Sequence, residues 1–315
     1  MRNLCPICNG LPNQTKNAGV APFLQTHAGV TATKTKSHFC NSCNFVWHEL
    51  GLTENQAARL YKEYRGEKYN LTRSKLEKDY NVIAQSFEDL TSDHYRERAG
   101  ELDAIFRNYK GEVKNTLDYG GDALFSNWLF PFAQNDFFDL SHGTSESTQD
   151  GKYDVIFMFH LLEHVNYPLV DIAAAYKLLR PGGLLITEVP REFDPPLSRA
   201  FQLTPDFSGA LMNMHEHMNF FTEKSMQEIS KKTSVPLLGS HLMKWNGLVS
   251  FFTDNEQWFD YQSILNYESK RLEKQMNDQF QELRAMRIIN STTSSIPRSV
   301  KKIINASKNL KNTKL

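Results

Sequence analysis

Residues 153–189 constrain the fold of this chain more than any other stretch. Tyr153-Asp154-Val155-Ile156-Phe157-Met158-Phe159 is a nearly continuous apolar run, the pattern of a strand buried on both faces. A helix over residues 166–180 follows, with Asn166 as its cap, Pro168 in its first turn and Pro181-Gly182-Gly183 as its stop. Leu184-Leu185-Ile186-Thr187-Glu188-Val189 reads as the next strand. Strand, helix and strand in this order imply a parallel sheet joined by right-handed crossovers. The expected class is α/β: a doubly wound, Rossmann-like and mostly parallel sheet, its core falling within residues 111–254.

The four cysteines sit as two close pairs, Cys5-Pro6-Ile7-Cys8 and Cys40-Asn41-Ser42-Cys43. Each C-x-x-C knuckle turns two thiolates toward one point, and two knuckles complete a four-sulfur set suited to zinc. With every position filled by sulfur, such a zinc is structural, and binding it helps to fold residues 1–50 as a small zinc-ribbon-like module. Four free thiols or one redox-active pair are the alternatives. Paired cysteines at metal spacing, with no apolar signal segment in Met1-Arg2-Asn3-Leu4-Cys5, place the chain in a reducing, cytoplasmic setting.

Leu117-Asp118-Tyr119-Gly120-Gly121-Asp122 puts two glycines where a buried strand ends, so the backbone can turn sharply and approach a ligand. The G-x-G-x-x-G dinucleotide fingerprint is absent. Asp118 and Asp122 in the loop, and Asp139 at the end of the next apolar run, would repel a pyrophosphate. They suit a ligand with an amino group and a ribose but no phosphate, and S-adenosylmethionine has that composition.

These motifs recur in order with Leu161-Leu162-Glu163-His164-Val165, Leu178-Leu179-Arg180-Pro181-Gly182-Gly183 and Glu188-Val189-Pro190. Together they resemble the class I S-adenosylmethionine-dependent methyltransferases over residues 115–239. The resemblance implies that Asp118, Gly120 and Gly121 pass beneath the methionine part of the cofactor and that Asp139 holds its ribose. Phe159 and His160 would flank the cofactor, and Asp150 is the nearest acid for the adenine. Ala123-Leu124 stand where relatives often carry a further glycine. Glu163 and His164 are read as holding their loop.

Met214-His215-Glu216-His217-Met218-Asn219-Phe220-Phe221-Thr222 is the second place for chemistry. His215 and His217, two apart, would share one side of an extended segment. A histidine oriented by a carboxylate suits removal of an acceptor proton during methyl transfer. A structural pair capping the Thr222 helix, or a second metal site, are the alternatives; the spacing is too close for the H-E-x-x-H helix of hydrolytic zinc sites. The N-terminal four-cysteine module, the tyrosine-rich linker of residues 51–110 and this Glu-His pair resemble sugar C-methyltransferases, and equally the zinc-module methyltransferases of surface-polysaccharide synthesis. That resemblance implies catalytic roles for Glu216 and His217, with His215 beside them, and a small-molecule or nucleotide-linked sugar acceptor. Tyr61, Tyr64, Tyr69 and Tyr80 would contribute to its pocket.

Two other readings remain beside this one. The zinc module could dock onto RNA or protein in a macromolecule methyltransferase, or the chain could be a scaffold that binds cofactor without turnover. Lys plus Arg equal Asp plus Glu at 36 each, a net charge of zero that weighs against nucleic acid. No apolar run reaches the roughly 18–20 residues of a membrane span. Residues 255–315 hold an amphipathic helix around Leu272, Met276, Phe280, Leu283 and Met286, then a basic tail. That tail is a solvated end, or a weak contact for an anionic membrane or partner helix through Val300, Ile303, Ile304 and Leu310.

Overall fold

The computed structural model describes residues 2–62, 64–77, 80–81, 98, 100–102, 113–121, 123–139, 143–144, 149–190, 213–243, 247–255 and 258. All of them lie in one compact unit, Met1–Trp258. Asp122, the 272–286 helix and the basic tail fall outside the described residues.

The larger sheet contains β4 (Asn115–Tyr119), β5 (Gln134–Asp139), β6 (Gly143–Thr144), β7 (Tyr153–Phe159), β8 (Leu179–Pro190), β10 (Leu237–Leu242) and β11 (Gly247–Phe252). Their spatial order is β10-β11-β8-β7-β4-β5-β6. The four central strands, β8, β7, β4 and β5, run parallel, while β6, β11 and β10 pair antiparallel at the margins. This is the Rossmann-like α/β sheet expected from the sequence. In β7, Tyr153, Val155, Ile156, Phe157 and Met158 are all fully buried, as a central strand covered on both faces requires. The order changes direction about β4 and β7, so a crevice opens past the C-terminal ends of these strands, where ligands bind in such sheets.

Two local expectations are corrected. The helix after β7 spans Pro168–Leu178 (α4), with proline at its first turn but no side-chain cap. Asn166 instead donates its amide to the Leu52 carbonyl at 2.6 Å, tying the loop to the N-terminal region. Strand β8 also begins at once, at Leu179, so Pro181-Gly182-Gly183 lies within the strand rather than before it. The pairing of Tyr153 with Leu179 and then of Val155 with Leu184 marks a bulge there. Gly182 takes a left-handed φ of 73° that permits it.

The second sheet is antiparallel, ordered β1 (Gln14–Gly19), β2 (Lys34–Cys40), β3 (Phe45–His48) and β9 (Asn219–Phe220). Its fourth strand comes from more than 170 residues later in the chain, and a parallel bridge joins Val20 to Met214. Cys5, Cys40, Cys43, Phe45 and Trp47 share one apolar cluster with Leu117, Ile156, Phe221 and Met226. The N-terminal segment is therefore packed into the core of the sheet domain. Arg2 fastens the seam, donating to the carbonyls of His48 and Met218 at 2.9 and 3.0 Å and to Asn219 Oδ1 at 2.8 Å.

Four further helices matter for the site. Helix α1 (Glu54–Tyr61) starts with a capping box between Thr53 and Gln56, and α2 (Glu67–Leu76) follows it. Helix α3 (Leu124–Leu129) follows β4, and α5 (Glu223–Thr233) starts with a second capping box, Thr222 with Ser225.

Candidate methyl-transfer site

The β4 loop is built for close backbone approach. Gly120 has a φ of 92°, and a Cβ there would come within 2.9 Å of the Leu161 side chain. A Cβ on Gly121 would collide with the Asp118 carboxylate. Both positions need glycine, one for its dihedral and the other for space. Asp118, buried at the strand end, accepts a hydrogen bond from the Ala123 backbone N–H at 3.1 Å and so closes the loop on itself. Ala123 stands at the start of α3 with a left-handed φ of 64°. That conformation crowds a Cβ by about 1 kcal/mol or somewhat more. Ala123→Gly is therefore expected to stabilise the fold by about 1 kcal/mol, read as a raised denaturant midpoint at unchanged slope; a lowered midpoint would show that the turn is not strained.

Asp139 ends β5, one strand away from the loop, where it pairs with Gly143. Phe159 ends β7, and His160 follows it directly. The three positions thus flank the mouth of the crevice, together with Gly120 and Gly121. Asp150 does not: it is exposed in the turn before β7, at the opposite end of that strand from His160.

His160 has a left-handed φ of 51° and is held between two carboxylates. Its Nε2 lies 3.1 Å from Glu188 Oε1 and its Nδ1 3.3 Å from Glu163 Oε1. Desolvation in the clamp disfavours its charge, but Glu188 and Glu163 outweigh it and hold the imidazole above its ordinary range. Glu188 in turn is fully buried and meets Arg98, whose Nη2 is 2.7 Å from Glu188 Oε2. Burial alone would raise the Glu188 carboxyl, yet Arg98 and His160 pull it down to about 2. Arg98 also lies over Phe125, 4.0 Å from the ring centre, and 5.2 Å from that of Phe159. The sequence carried one signal for this network: Glu188 interrupts an apolar strand, and a buried acid needs a partner. Nothing in the local pattern pointed to Arg98.

The 215–217 turn faces two ways. His215 Nε2 lies 2.5 Å from Glu77 Oε1, and its ring stacks on Phe23. Glu216 is buried among Tyr64, Tyr69 and Arg73; both hydroxyls donate to its carboxylate, and Arg73 Nη1 is 2.9 Å away. Burial pushes the Glu216 carboxyl up to about 7, against the opposing pull of His217, Arg65 and Tyr64. Arg73 also lies 4.4 Å from the centre of the Tyr80 ring and bonds Glu77. Burial raises the Glu77 carboxyl, but His215 and Arg73 bring it below its ordinary value. His217 turns to the other side, its ring 4.8 Å from that of His164 and its ligand atom near Glu163. Bends at residues 215 and 216 replace the expected extended segment, and the two rings meet different neighbours, Glu77 and Phe23 at His215 and His164 at His217. Tyr61, Tyr64, Tyr69 and Tyr80 gather around Glu216, His164 and Arg73.

At the N-terminus the four cysteine sulfurs lie within 4.8 Å of one another. The Cys5–Cys43 and Cys8–Cys40 sulfur separations are both 3.5 Å. A tetrahedral zinc with bonds of about 2.3 Å spaces its sulfurs by about 3.8 Å. The donor set thus fits a zinc ion in both chemistry and spacing.

Residues 91–233 match the family model described as "Methyltransferase domain". No curated protein matches the sequence significantly. Among solved structures, a 1,6-didemethyltoxoflavin-N1-methyltransferase of Burkholderia thailandensis is similar at 14% identity, covering 70% of this chain and 96% of its own, with a TM-score of 0.42. A SAM-dependent methyltransferase of Thermotoga maritima is similar at 14% identity over 58% of this chain and 100% of its own, TM-score 0.39. The N-methyltransferase NodS of Bradyrhizobium japonicum is similar at 16% identity over 53% and 99%, TM-score 0.35. Likenesses this remote carry neither acceptor nor mechanism across. The match over residues 91–233, on the α/β sheet described above, gives the chain a methyltransferase domain, and its enzyme class is that of the S-adenosylmethionine-dependent methyltransferases.

Proposed function

We propose that the protein transfers a methyl group from S-adenosylmethionine to a small-molecule or glycan-precursor acceptor, a nucleotide-linked sugar in surface-polysaccharide synthesis. The observation that carries this reading is the pairing of two surfaces: a glycine loop walled by carboxylates at the strand ends, and a tyrosine-lined turn bearing His215, Glu216 and His217. Asp118, Gly120, Gly121 and Asp122 take the methionine side of the cofactor, Asp139 its ribose, and Phe159 and His160 its flank. The stretch Asp118-Tyr119-Gly120-Gly121-Asp122 carries two acids and no base, which suits a cofactor that carries no phosphate.

Bound S-adenosylmethionine supplies an electrophilic methyl on a sulfonium centre. The chain's own part is to align the acceptor and manage its proton. On this reading His217 meets the reacting atom, while Glu216 and His215, fixed by Tyr64, Tyr69, Arg73 and Glu77, shape the wall behind it. His160, clamped by two carboxylates, acts as a fixed cation and not as a base. A zinc ion on Cys5, Cys8, Cys40 and Cys43 is structural, since four thiolates leave no position for a substrate.

The test is transfer of labelled methyl from S-adenosylmethionine to three acceptor pools: nucleotide-linked sugars, RNA and protein. The expected result is label in the sugar pool, abolished in His217→Gln. Label in RNA or protein alone would overturn the acceptor assignment. A net charge of zero favours the small acceptor, because a chain that grips RNA needs many cations on its phosphates.

A further inference from the structure

We infer that Glu163, His164 and His217 form a second metal centre, which binds one divalent first-row ion and, through it, two adjacent oxygens of the acceptor. One ligand atom from each of the three residues lies within 4.8 Å of the other two. Ring rotation closes that spacing onto a single ion, whose donors sit about 3–4 Å apart.

Three features point to a cation there. Glu163 is 1% exposed, and its Oε2 is buried without a hydrogen-bond partner among the described residues. Its other oxygen faces His160 at 3.3 Å and His164 Nε2 at 3.8 Å. His164 Nδ1 lies 3.2 Å from the Glu216 carbonyl oxygen. A carbonyl only accepts, so the proton sits on Nδ1 and Nε2 presents its lone pair toward Glu163. Two acceptors facing each other in a buried place call for a cation between them. The bond from Nδ1 to a carbonyl is also the usual outer support of a metal-binding histidine. Close by, the buried Tyr61 hydroxyl has no partner among the described residues, and the Tyr61 ring lies edge-on to His164 at 5.9 Å.

The scaffold is rigid where a centre needs rigidity. The Glu163 carbonyl accepts from the Met218 and Asn219 backbone N–H groups at 2.8 and 3.2 Å. Asn219 donates its amide to the carbonyls of Leu162 and Val165 at 2.9 and 2.6 Å. The 160–166 turn and the 216–219 segment are thus locked together with the three ligands facing each other.

The ligand set differs in kind from the cysteine knot. Two imidazoles and one carboxylate leave coordination positions open, and they suit a divalent transition ion rather than a closed thiolate site. Open positions on an ion bind a pair of neighbouring oxygens, such as the vicinal hydroxyls of a sugar, and lower the pKa of a hydroxyl bound there. Glu163 also touches His160 at the end of β7, so the ion would sit between the cofactor crevice and the tyrosine wall. This part rests on the methyltransferase reading. His217 then acts on the acceptor through the ion instead of taking its proton.

The experiment uses the full chain holding one zinc per chain, titrated with Mn2+ and followed by electron paramagnetic resonance. One Mn2+ should bind per chain, with spin-echo modulation from two directly bound imidazole nitrogens in the unaltered protein. Glu163→Gln and His217→Gln should each weaken Mn2+ binding at least tenfold while the zinc content stays at one. No Mn2+ bound, modulation lacking imidazole nitrogen, or equal binding in both variants would overturn the inference. Titration of the same samples with S-adenosylmethionine separates the two readings. Cofactor binding without Mn2+ would leave the methyltransferase standing and remove the metal centre. Mn2+ without cofactor would do the reverse.

Discussion

Stripping zinc from the cysteine knot is expected to lower the melting temperature by roughly 10 °C or more. Structural zinc contributes about 10–16 kcal/mol of apparent binding energy to the folding of zinc-finger peptides. Even a third of that corresponds to a shift of this size, at about 2–4 °C per kcal/mol for a domain of moderate length. The knot does not stand apart. Cys5, Cys40 and Cys43 are buried in the same apolar cluster as Phe221 and Met226, and β3 pairs with β9. Loss of the ion should therefore loosen α5 and the 213–218 segment as well. Differential scanning calorimetry before and after a strong chelator reads the shift, and Cys43→Ser should reproduce it. A melting temperature unchanged on loss of the metal would contradict a structural zinc.

Arg98→Met is the second large effect, with an expected loss of about 3–5 kcal/mol. The substitution keeps most of the packing over Phe125 and Phe159 but takes from the fully buried Glu188 its guanidinium partner, leaving His160 beside it. Glu188 has a depressed pKa, so its contribution is present above the ordinary carboxylate range and is lost as pH falls through about 2. Removing Arg98 lifts that carboxyl toward its ordinary value, so the variant should lose less stability on acidification than the unaltered protein does, protonation relieving the buried charge. The double change Arg98→Met with Glu188→Gln should recover part of the loss, since no buried charge is then stranded. Urea unfolding of the four proteins completes the cycle. A single-variant cost below about 1 kcal/mol would mean the pair is not buried as described.

The parts of the fold that were legible in the sequence are those written in local pattern. An apolar run as long as Tyr153–Phe159 has few alternatives to a central strand, and two C-x-x-C knuckles foretell four sulfurs converging on one point, as they do within 4.8 Å. Gly120 and Gly121 were legible because a tight turn past a buried strand needs glycine. The contacts that were not legible depend on residues far apart in the chain. β9 joins the N-terminal sheet through two residues, Asn219 and Phe220, too short a strand to leave a periodic signature. Arg98 meets Glu188 ninety positions away, and Glu77 meets His215 across 138 positions. The Pro181-Gly182-Gly183 step was read as a stop because those residues end helices; here the helix had already ended and a bulge uses the same freedom. His215 and His217 were paired on the assumption of an extended segment, and the bends between them send one to Glu77 and the other to His164.

The most direct measurement is calorimetric titration of the zinc-loaded protein with S-adenosylmethionine and S-adenosylhomocysteine, with Asp139→Ala alongside. Both ligands should bind, and binding should weaken about tenfold to a hundredfold in the variant, the equivalent of about 1.5–3 kcal/mol for hydrogen bonds to a charged group. Binding of neither ligand by the unaltered protein would contradict the cofactor site at the strand ends, and affinity unchanged in Asp139→Ala would contradict its ribose contact.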